Sequence, residues 1–443
     1  MSPWSITIVH SPSVTRRSRL MLVAVLVTVV INYLDRTNIS IAAIGLAAEL
    51  ALSPAQMGLL FSAFAWSYSL CQLPGGILAD RVRPRVLYPA LLVCWSLATL
   101  AQGMAASFAW LVVCRVLVGI FEAPSYPINN RVVSSWFVAD RRAGAIGIYT
   151  SGQFLGLAGL APVLVAFQAT FGWRALFFAC GAIGILWAWV WHSFYRDPDQ
   201  DSKLTDADLS ALRSGGALLD WKRPTQAPRF VFVASDLKHA FSHRALWGLY
   251  CGQFCIGTLT AFFLTWFPSY LVQARGMQFE SIGAMTAVPF LAAMGGVVLA
   301  GLVSDWLVRN GVSNGLARKA PVLTGMALSG AVLAIPYVGD DATVLAIMAI
   351  AFFGNGLASI NWVFVSMLAP PGHLGLVGGV FNLVGGLSAA VTPIAIGMLV
   401  RGGDFSAAMA YIGAVGMVGF ACYTVLMSGI DGRLPNAIGQ SHP

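Results

Sequence analysis

The chain has 443 residues, of which 58% are hydrophobic and 10% charged, a composition far from that of soluble globular domains and suited to lipid. Its net charge of +8, from 26 Lys and Arg against 18 acids, is spread along the chain, which excludes a nucleic-acid-binding stripe as its cause. Seven cysteines lie scattered through apolar runs, and only Cys251 and Cys255 stand a helical turn apart; they read as small buried hydrophobes, and no cofactor or metal is expected.

A bilayer core about 30 Å thick takes about 20 apolar residues per helix. Twelve such runs follow one another: 20–43, 57–79, 86–105, 107–127, 143–169 and 174–195, then 246–273, 281–308, 320–338, 343–368, 374–399 and 405–429. The stretch between the two sets is the one long polar segment, holding Asp197, Asp199, Asp201, Asp206, Asp208 and Lys222. The expected organisation is therefore an all-α membrane protein of twelve transmembrane helices. An N-terminal six-helix bundle occupies 1–195, a cytoplasmic linker 196–245 and a C-terminal six-helix bundle 246–443.

The first run is too long for a signal peptide, carries Asp35 and Arg36, and precedes no small-residue cleavage pattern, so it stays in the membrane. With the N-terminus inside, 21 of the 26 cations, from Arg16 to Arg433, fall on the cytoplasmic side, as the positive-inside bias requires. Both termini are then cytoplasmic, and the net charge records topology.

The two halves share a repeat. Gly76, Asp80 and Arg81 end the second run, and Gly301 and Asp305 end the eighth, each time with basic residues following. A Gly followed four residues later by Asp at a helix end lets helices approach and offers a carboxylate to a cation or a helix N-terminus. Its recurrence at equivalent places points to a duplicated transporter body. Gly152 with Gly156, and Gly375 with Gly379, have the small-residue spacing of close helix contacts.

Four ionisable residues fall inside the expected spans: Asp35 and Arg36 in the first, Arg115 and Glu122 in the fourth. Charge at that depth is costly enough that such residues face protein or a wet cavity and mark the working site. Arg115 and Glu122 lie two turns apart on one helix face, about 10 Å along the axis. Asp35 and Arg36 diverge by about 100° around their helix and so serve different partners. Arg36, planar and permanently charged, suits bidentate capture of a carboxylate. Asp35 and Glu122 can change protonation, since burial favours the neutral acid and a guanidinium favours the carboxylate. The competing reading is a structural ion-pair network tying the first and fourth helices together. An anion drawn into a cell whose interior is negative moves uphill electrically, and protons carried with it offset that cost. No nucleotide-binding loop of the Gly-x-x-x-x-Gly-Lys-Ser/Thr type occurs, so ATP-driven pumping is not expected.

The segment Ile31-Asn-Tyr-Leu-Asp-Arg-Thr-Asn38 resembles the first-helix signature of the anion:cation symporter family within the major facilitator superfamily. The run from Arg115 through Glu122-Ala-Pro-Ser-Tyr-Pro to Arg131, Ser135-Trp-Phe, and Arg141-Arg through Gln153-Phe resemble it as well. Within the family the likeness is to bacterial sugar-acid transporters of the galactonate, glucarate and hexuronate kind, with Ser62 to Gly76 pointing to the galactonate type. The resemblance implies that Arg36 is the substrate-anion arginine, Asp35 and Glu122 the proton-coupling acids, and Arg115 their partner. It implies that Tyr33, Tyr68 and Gln153 line the site in the first half, and Ser359, Trp362 and Asn382 in the second. Of the adjoining Asn361 and Trp362 only one faces the cavity, and Trp362, whose ring can stack on a sugar acid, is the choice. Gly76, Asp80, Arg81 and Arg85 fit the superfamily's gating loop, with Asp305 in the repeat, but Arg83 and Pro84 depart from its Gly and put the turn geometry in question.

The resulting expectation is a proton-coupled symporter, not an enzyme, in the bacterial inner membrane. It imports a monocarboxylate sugar acid such as galactonate by alternating access; the alternative cargo is a hexuronate, aldarate, small dicarboxylate or aromatic acid. Its expected partners are the small organic anion, protons and membrane lipid, with no nucleic acid and no obligatory protein partner. A membrane enzyme would need a nucleophile and base or a metal cluster on facing spans, and the sequence has no such constellation.

Overall fold

The computed structural model describes residues 12–219, 238, 240–370 and 373–428; the remainder of the linker, with Lys222, and Arg433 lie outside the described residues. The chain opens with α1 (Pro12–Glu49), α2 (Pro54–Arg81) and α3 (Pro84–Gly103), then α4 (Phe108–Trp136). The helical stretch Asp140–Phe194 is two spans. Gly172, at φ +81°, adopts a left-handed conformation that glycine alone takes without strain, dividing α5 (140–171) from α6 (173–194). There follow α7 (Arg244–Thr265), α8 (Phe279–Arg309), α9 (Asn314–Tyr337), α10 (Asp341–Leu368), α11 (Leu374–Leu399) and α12 (Ser406–Leu426).

These twelve spans correspond one to one with the twelve apolar runs. α1 and α4 extend about two turns past them, because helix continues through the polar residues Arg16, Arg17 and Arg19 at one end and Asn129, Asn130 and Arg131 at the other; apolar length reports only the lipid-immersed part. Starts are capped locally. The hydroxyl of Ser107 accepts from Trp110 N at 3.3 Å before α4, and the carboxylate of Asp340 accepts from Thr343 N at 2.8 Å before α10, each satisfying a donor that a helix start leaves orphaned. Large apolar side chains point outward on both early and late spans, among them Leu73 at 77%, Trp189 at 68% and Leu302 at 65% exposure. A water-soluble surface does not carry such a coat.

The chain forms two compact units. The first comprises 12–38, 67–160 and 170–219; the second comprises 39–66, 161–169 and the described residues from 238 onward. In the first unit the linker folds back on the helix ends. Arg17 pairs with Asp201, and Arg83 reaches Asp199 at 2.8 Å and Asp197 at 3.3 Å. Leu218 N donates to the Ser134 carbonyl at 2.9 Å. A short helix, Asp206–Ser214, is closed by a capping box between Thr205 and Asp208, and Leu212, Ala217 and Leu219 bury themselves with Val14 of α1.

In the second unit backbones touch. A Cβ on Gly325 of α9 would collide with the Gly354 carbonyl of α10, and one on Gly354 with the Gly325 carbonyl, so both positions need the missing side chain. Phe263 stacks on Phe352 at 4.1 Å between ring centroids, with Phe290 edge-on to Phe352 at 5.2 Å, filling the space between α7, α8 and α10.

Three of the spans that carry expected site residues are irregular along their length. The first helical segment of α4 ends at Glu122, where Ala123 and Pro124 interrupt it before Ser125–Trp136 resumes, since proline supplies no N–H to continue the ladder. α5 opens into a π turn at Leu155–Gly159. α10 tightens into a 3₁₀ turn at Ser359–Asn361. Such breaks expose backbone groups and recur where a membrane helix lines a binding cavity.

Candidate functional site

The interruption in α4 places Glu122 on the last turn of its first segment, facing α1. There the Nε of Arg36 donates to Glu122 Oε1 at 2.8 Å, and its Nη2 lies 2.7 Å from the same oxygen in an ion pair. Glu122 is fully buried and the Arg36 side chain is 16% exposed. The second oxygen of Glu122 has no hydrogen-bond partner. The guanidinium lies over two rings, 4.8 Å from the Tyr33 centroid and 4.7 Å from that of Tyr68, a cation–π arrangement that holds a planar cation without neutralising it. Tyr33 is itself fixed, its hydroxyl donating to Gln153 Oε1 at 3.0 Å. Gln153 precedes the π turn of α5. Gly156, within that turn, lies so near α1 that a Cβ there would stand 2.7 Å from Tyr33 Cβ. Gly152 likewise meets α1 at Leu26, whereas Gly379 has nothing within 4 Å.

Asp35 faces the other way. Its Oδ1 accepts from Asn38 Nδ2 at 3.3 Å and from Thr99 Oγ1 at 3.4 Å, and its backbone carbonyl accepts from Arg115 Nη1 at 3.4 Å. Asp35 and Arg115 are both buried. The first unit thus gathers Arg36, Glu122, Tyr33, Tyr68 and Gln153 on one side of α1, and Asp35 and Arg115 on another.

In the second unit Ser359 opens the 3₁₀ turn of α10, Trp362 follows it, and Asn382 lies on α11. Ser359 is half-buried and donates to the Gly356 carbonyl at 2.7 Å. Trp362 is 48% exposed and stands edge-on to Phe381 at 4.6 Å, and Asn382 is exposed. Asn361 turns inward instead, donating to Gln253 Oε1 at 2.8 Å. A second amide contact runs from Asn355 Nδ2 to Thr260 Oγ1 at 2.8 Å. The sequence reading left out Gln253, Asn355 and Thr260. The available signal for Gln253 was an amide alone in the apolar run of α7, where an unpaired amide is costly.

Of the gating set, Gly76 has open space around its missing side chain. Asp80 and Arg81 are exposed, Arg85 is half-buried, and none of the three forms an ion pair among the described residues. Asp305 pairs with Arg318 at 2.8 Å. The departure from the motif has a physical account: Pro84 takes the first turn of α3, where its missing N–H costs nothing, and Arg83 anchors the linker acids Asp197 and Asp199. Burial holds the Asp197 carboxyl above its usual range in spite of Arg83 and of the Tyr195 hydroxyl that donates to it at 3.0 Å. Among the described residues no group of His, Cys, Asp or Glu is arranged to hold a metal ion, and all seven cysteines are free thiols.

A family model described as Major Facilitator Superfamily matches residues 25–393. The D-galactonate transporter of Escherichia coli O6:H1 is 45% identical over 416 residues, covering 94% of this chain and 96% of that protein. The probable galactarate/D-glucarate transporter GudP of Escherichia coli K12 is 38% identical, covering 90% and 91%. Among solved structures, a bacterial homolog of the human lysosomal transporter Spinster, inward-facing and occupied, superposes with a TM-score of 0.71 at 20% identity, over 92% of this chain and 96% of that one. These relatives are transporters rather than enzymes.

Proposed function

The chain belongs to the major facilitator superfamily, and on that premise we propose that it is a proton-coupled symporter importing a monocarboxylate sugar acid of the galactonate kind. We place it in the bacterial inner membrane with both termini cytoplasmic, working by alternating access. One observation carries this reading: Arg36, held between two tyrosine rings, is occupied by the carboxylate of Glu122. A substrate carboxylate suits the same planar fork. When it takes the guanidinium, the buried charge of Glu122 loses its partner, and a proton joining Glu122 relieves that cost. Anion and proton binding therefore favour each other, and linkage makes the preference reciprocal. The proton carried along also offsets the electrical penalty of about 2.3 kcal/mol per 100 mV on each anion entering a negative interior.

The neutral amides and hydroxyls of the second unit, with exposed Trp362 and Asn382, have the chemistry that suits polyhydroxylated ligands. Its buried cation, Lys319, donates to the Met427 carbonyl at 3.2 Å, which supports one carboxylate per substrate. The names of the relatives support the sugar-acid class. The test uses purified protein in liposomes loaded with D-galactonate. Glu122→Gln is expected to keep exchange of labelled D-galactonate and to lose accumulation driven by a pH gradient. Accumulation at the wild-type level in this variant removes Glu122 from the coupling.

A further inference from the structure

We propose, building on the reading of Asp35 as a proton-coupling acid, that a polar seam between α1 and α3, lined by Gln102, Asn38 and Thr99, conducts protons to Asp35 from the outer face, separately from the side of α1 on which Arg36 takes the anion.

The seam is written in the helical register. Asn32, Asp35 and Asn38 recur every three residues on α1, and Ser96, Thr99 and Gln102 recur likewise on α3. Residues three apart share a helix face. The contact from Thr99 Oγ1 to Asp35 Oδ1 at 3.4 Å pins the two rows together. Alternate spans run in the same direction, so one step beyond that contact brings Asn38 level with Gln102. Asn32, Asn38, Ser96, Thr99 and Gln102 are all 0% exposed.

What these side chains fail to do is the informative part. Both polar atoms of Gln102 and of Asn32, Asn38 Oδ1 and Ser96 Oγ have no hydrogen-bond partner in the protein. Native interiors pair nearly all such atoms, and amides serving only to join two helices would bond across to each other. An orphaned donor or acceptor is costly where a leucine is not. A row of them flanking one carboxyl group has the chemistry of a hydrated path, in which each water needs two to four polar neighbours.

The ends of the seam fit this role. Gln102 is the penultimate residue of α3, and beside it Arg174 of α6 donates to the carbonyls of Gly103 and Ala105 at 3.0 and 2.9 Å. The positive-inside orientation puts that end outside. The charged and titratable groups around Asp35 are Arg115 and Glu122 from α4, with the Cys180 thiol from α6 next to Asn38. Arg115, already against the Asp35 carbonyl, repels a resident metal cation, whereas a proton that covalently neutralises Asp35 needs no such cage. The path therefore carries protons and does not store sodium.

The experiment uses full-length protein in liposomes and labelled D-galactonate, comparing wild type, Asp35→Asn, Gln102→Leu, Thr99→Val and Thr99→Ser. Two rates are read from each: counterflow exchange without a pH gradient, and uptake driven by an acid exterior across a range of external pH. Gln102→Leu and Thr99→Val are expected to exchange like wild type. Their driven uptake is expected to fall at least about tenfold, within the roughly hundredfold or more that positioned proton transfer contributes. The external pH giving half-maximal uptake should move to more acid values, and Thr99→Ser should restore it. Driven uptake equal to wild type in both variants overturns the seam, as does an equal fall in exchange and driven uptake, which marks a structural role. If wild type shows no pH-driven uptake, the proton-coupling reading itself fails. If wild type is driven and Asp35→Asn is not, that reading holds and the seam variants are judged on their own.

Discussion

The two compact units handle polarity in the membrane differently. The first places four charges within its helices, Arg36 with buried Glu122 on one side of α1 and buried Asp35 and Arg115 on another. The second, across α7, α10 and α11, uses neutral pairs: Asn361 with Gln253, Asn355 with Thr260, and Thr392 with Thr258 at 3.2 Å. Full charges at depth are costly to desolvate and mark candidate working sites. Neutral amides bind and orient without changing state. The contrast fits the proposed coupling through Asp35 and Glu122: groups that can change charge lie in the first unit, and groups that keep theirs lie in these pairs of the second.

The sharpest way to break that division is Arg36→Lys. The ammonium keeps the charge but loses the fork on Glu122 Oε1 and the flat face that lies over Tyr33 and Tyr68. A charge-assisted hydrogen bond contributes about 1.5–3 kcal/mol, so uptake of D-galactonate at limiting concentration is expected to fall roughly hundredfold. Exchange and pH-driven uptake should fall together, since the anion site itself is damaged. A loss confined to driven uptake would mean that Arg36 acts on protons alone.

A smaller effect belongs to Asn361→Ala in the second unit. Removing the amide orphans Gln253 Oε1 and loosens α10 at its 3₁₀ turn; a neutral hydrogen bond contributes about 1 kcal/mol. The half-saturating substrate concentration is expected to rise about fivefold, while the dependence of uptake on external pH stays where wild type has it. Measuring both in one set of liposomes decides the matter, and a shifted pH profile would show that the neutral unit shares in coupling.

Much of this was legible in the chain. Twelve apolar runs gave twelve spans because the thickness of lipid fixes helix length more firmly than any local propensity. Asp35, Arg36, Arg115 and Glu122 stood out because charge within an apolar run is rare. What could not be read was pairing across helices. Nothing in the spacing of Arg36 and Glu122 says that they touch, whereas the Ala123-Pro124 break that turns Glu122 toward α1 was visible and went unused. Gln253, Asn355 and Thr260 escaped because neutral polar residues in spans are common as helix glue, and their pairing depends on the α10 turn. The partners of Arg83 were out of reach for another reason: Asp197 and Asp199 lie more than a hundred residues on, and only the folded linker brings them back.

That linker gives the mildest test. Arg83→Gly restores the residue usual in the superfamily's loop and removes the pairs to Asp197 and Asp199. Asp199 is partly exposed and solvent screens the contact, so the loss of stability is expected to stay within about 0.2–1 kcal/mol, or a shift of at most a few degrees in melting temperature. Exchange and pH-driven uptake should both remain near wild type, because the change lies at the helix ends, away from the buried charges. The double variant Arg83→Asp with Asp199→Arg should recover the stability if the pair is what holds the linker. A defect in coupling from Arg83→Gly would mean instead that the linker strap joins in the transport cycle, and the charged unit would then extend beyond α1 and α4 to the loop after α2.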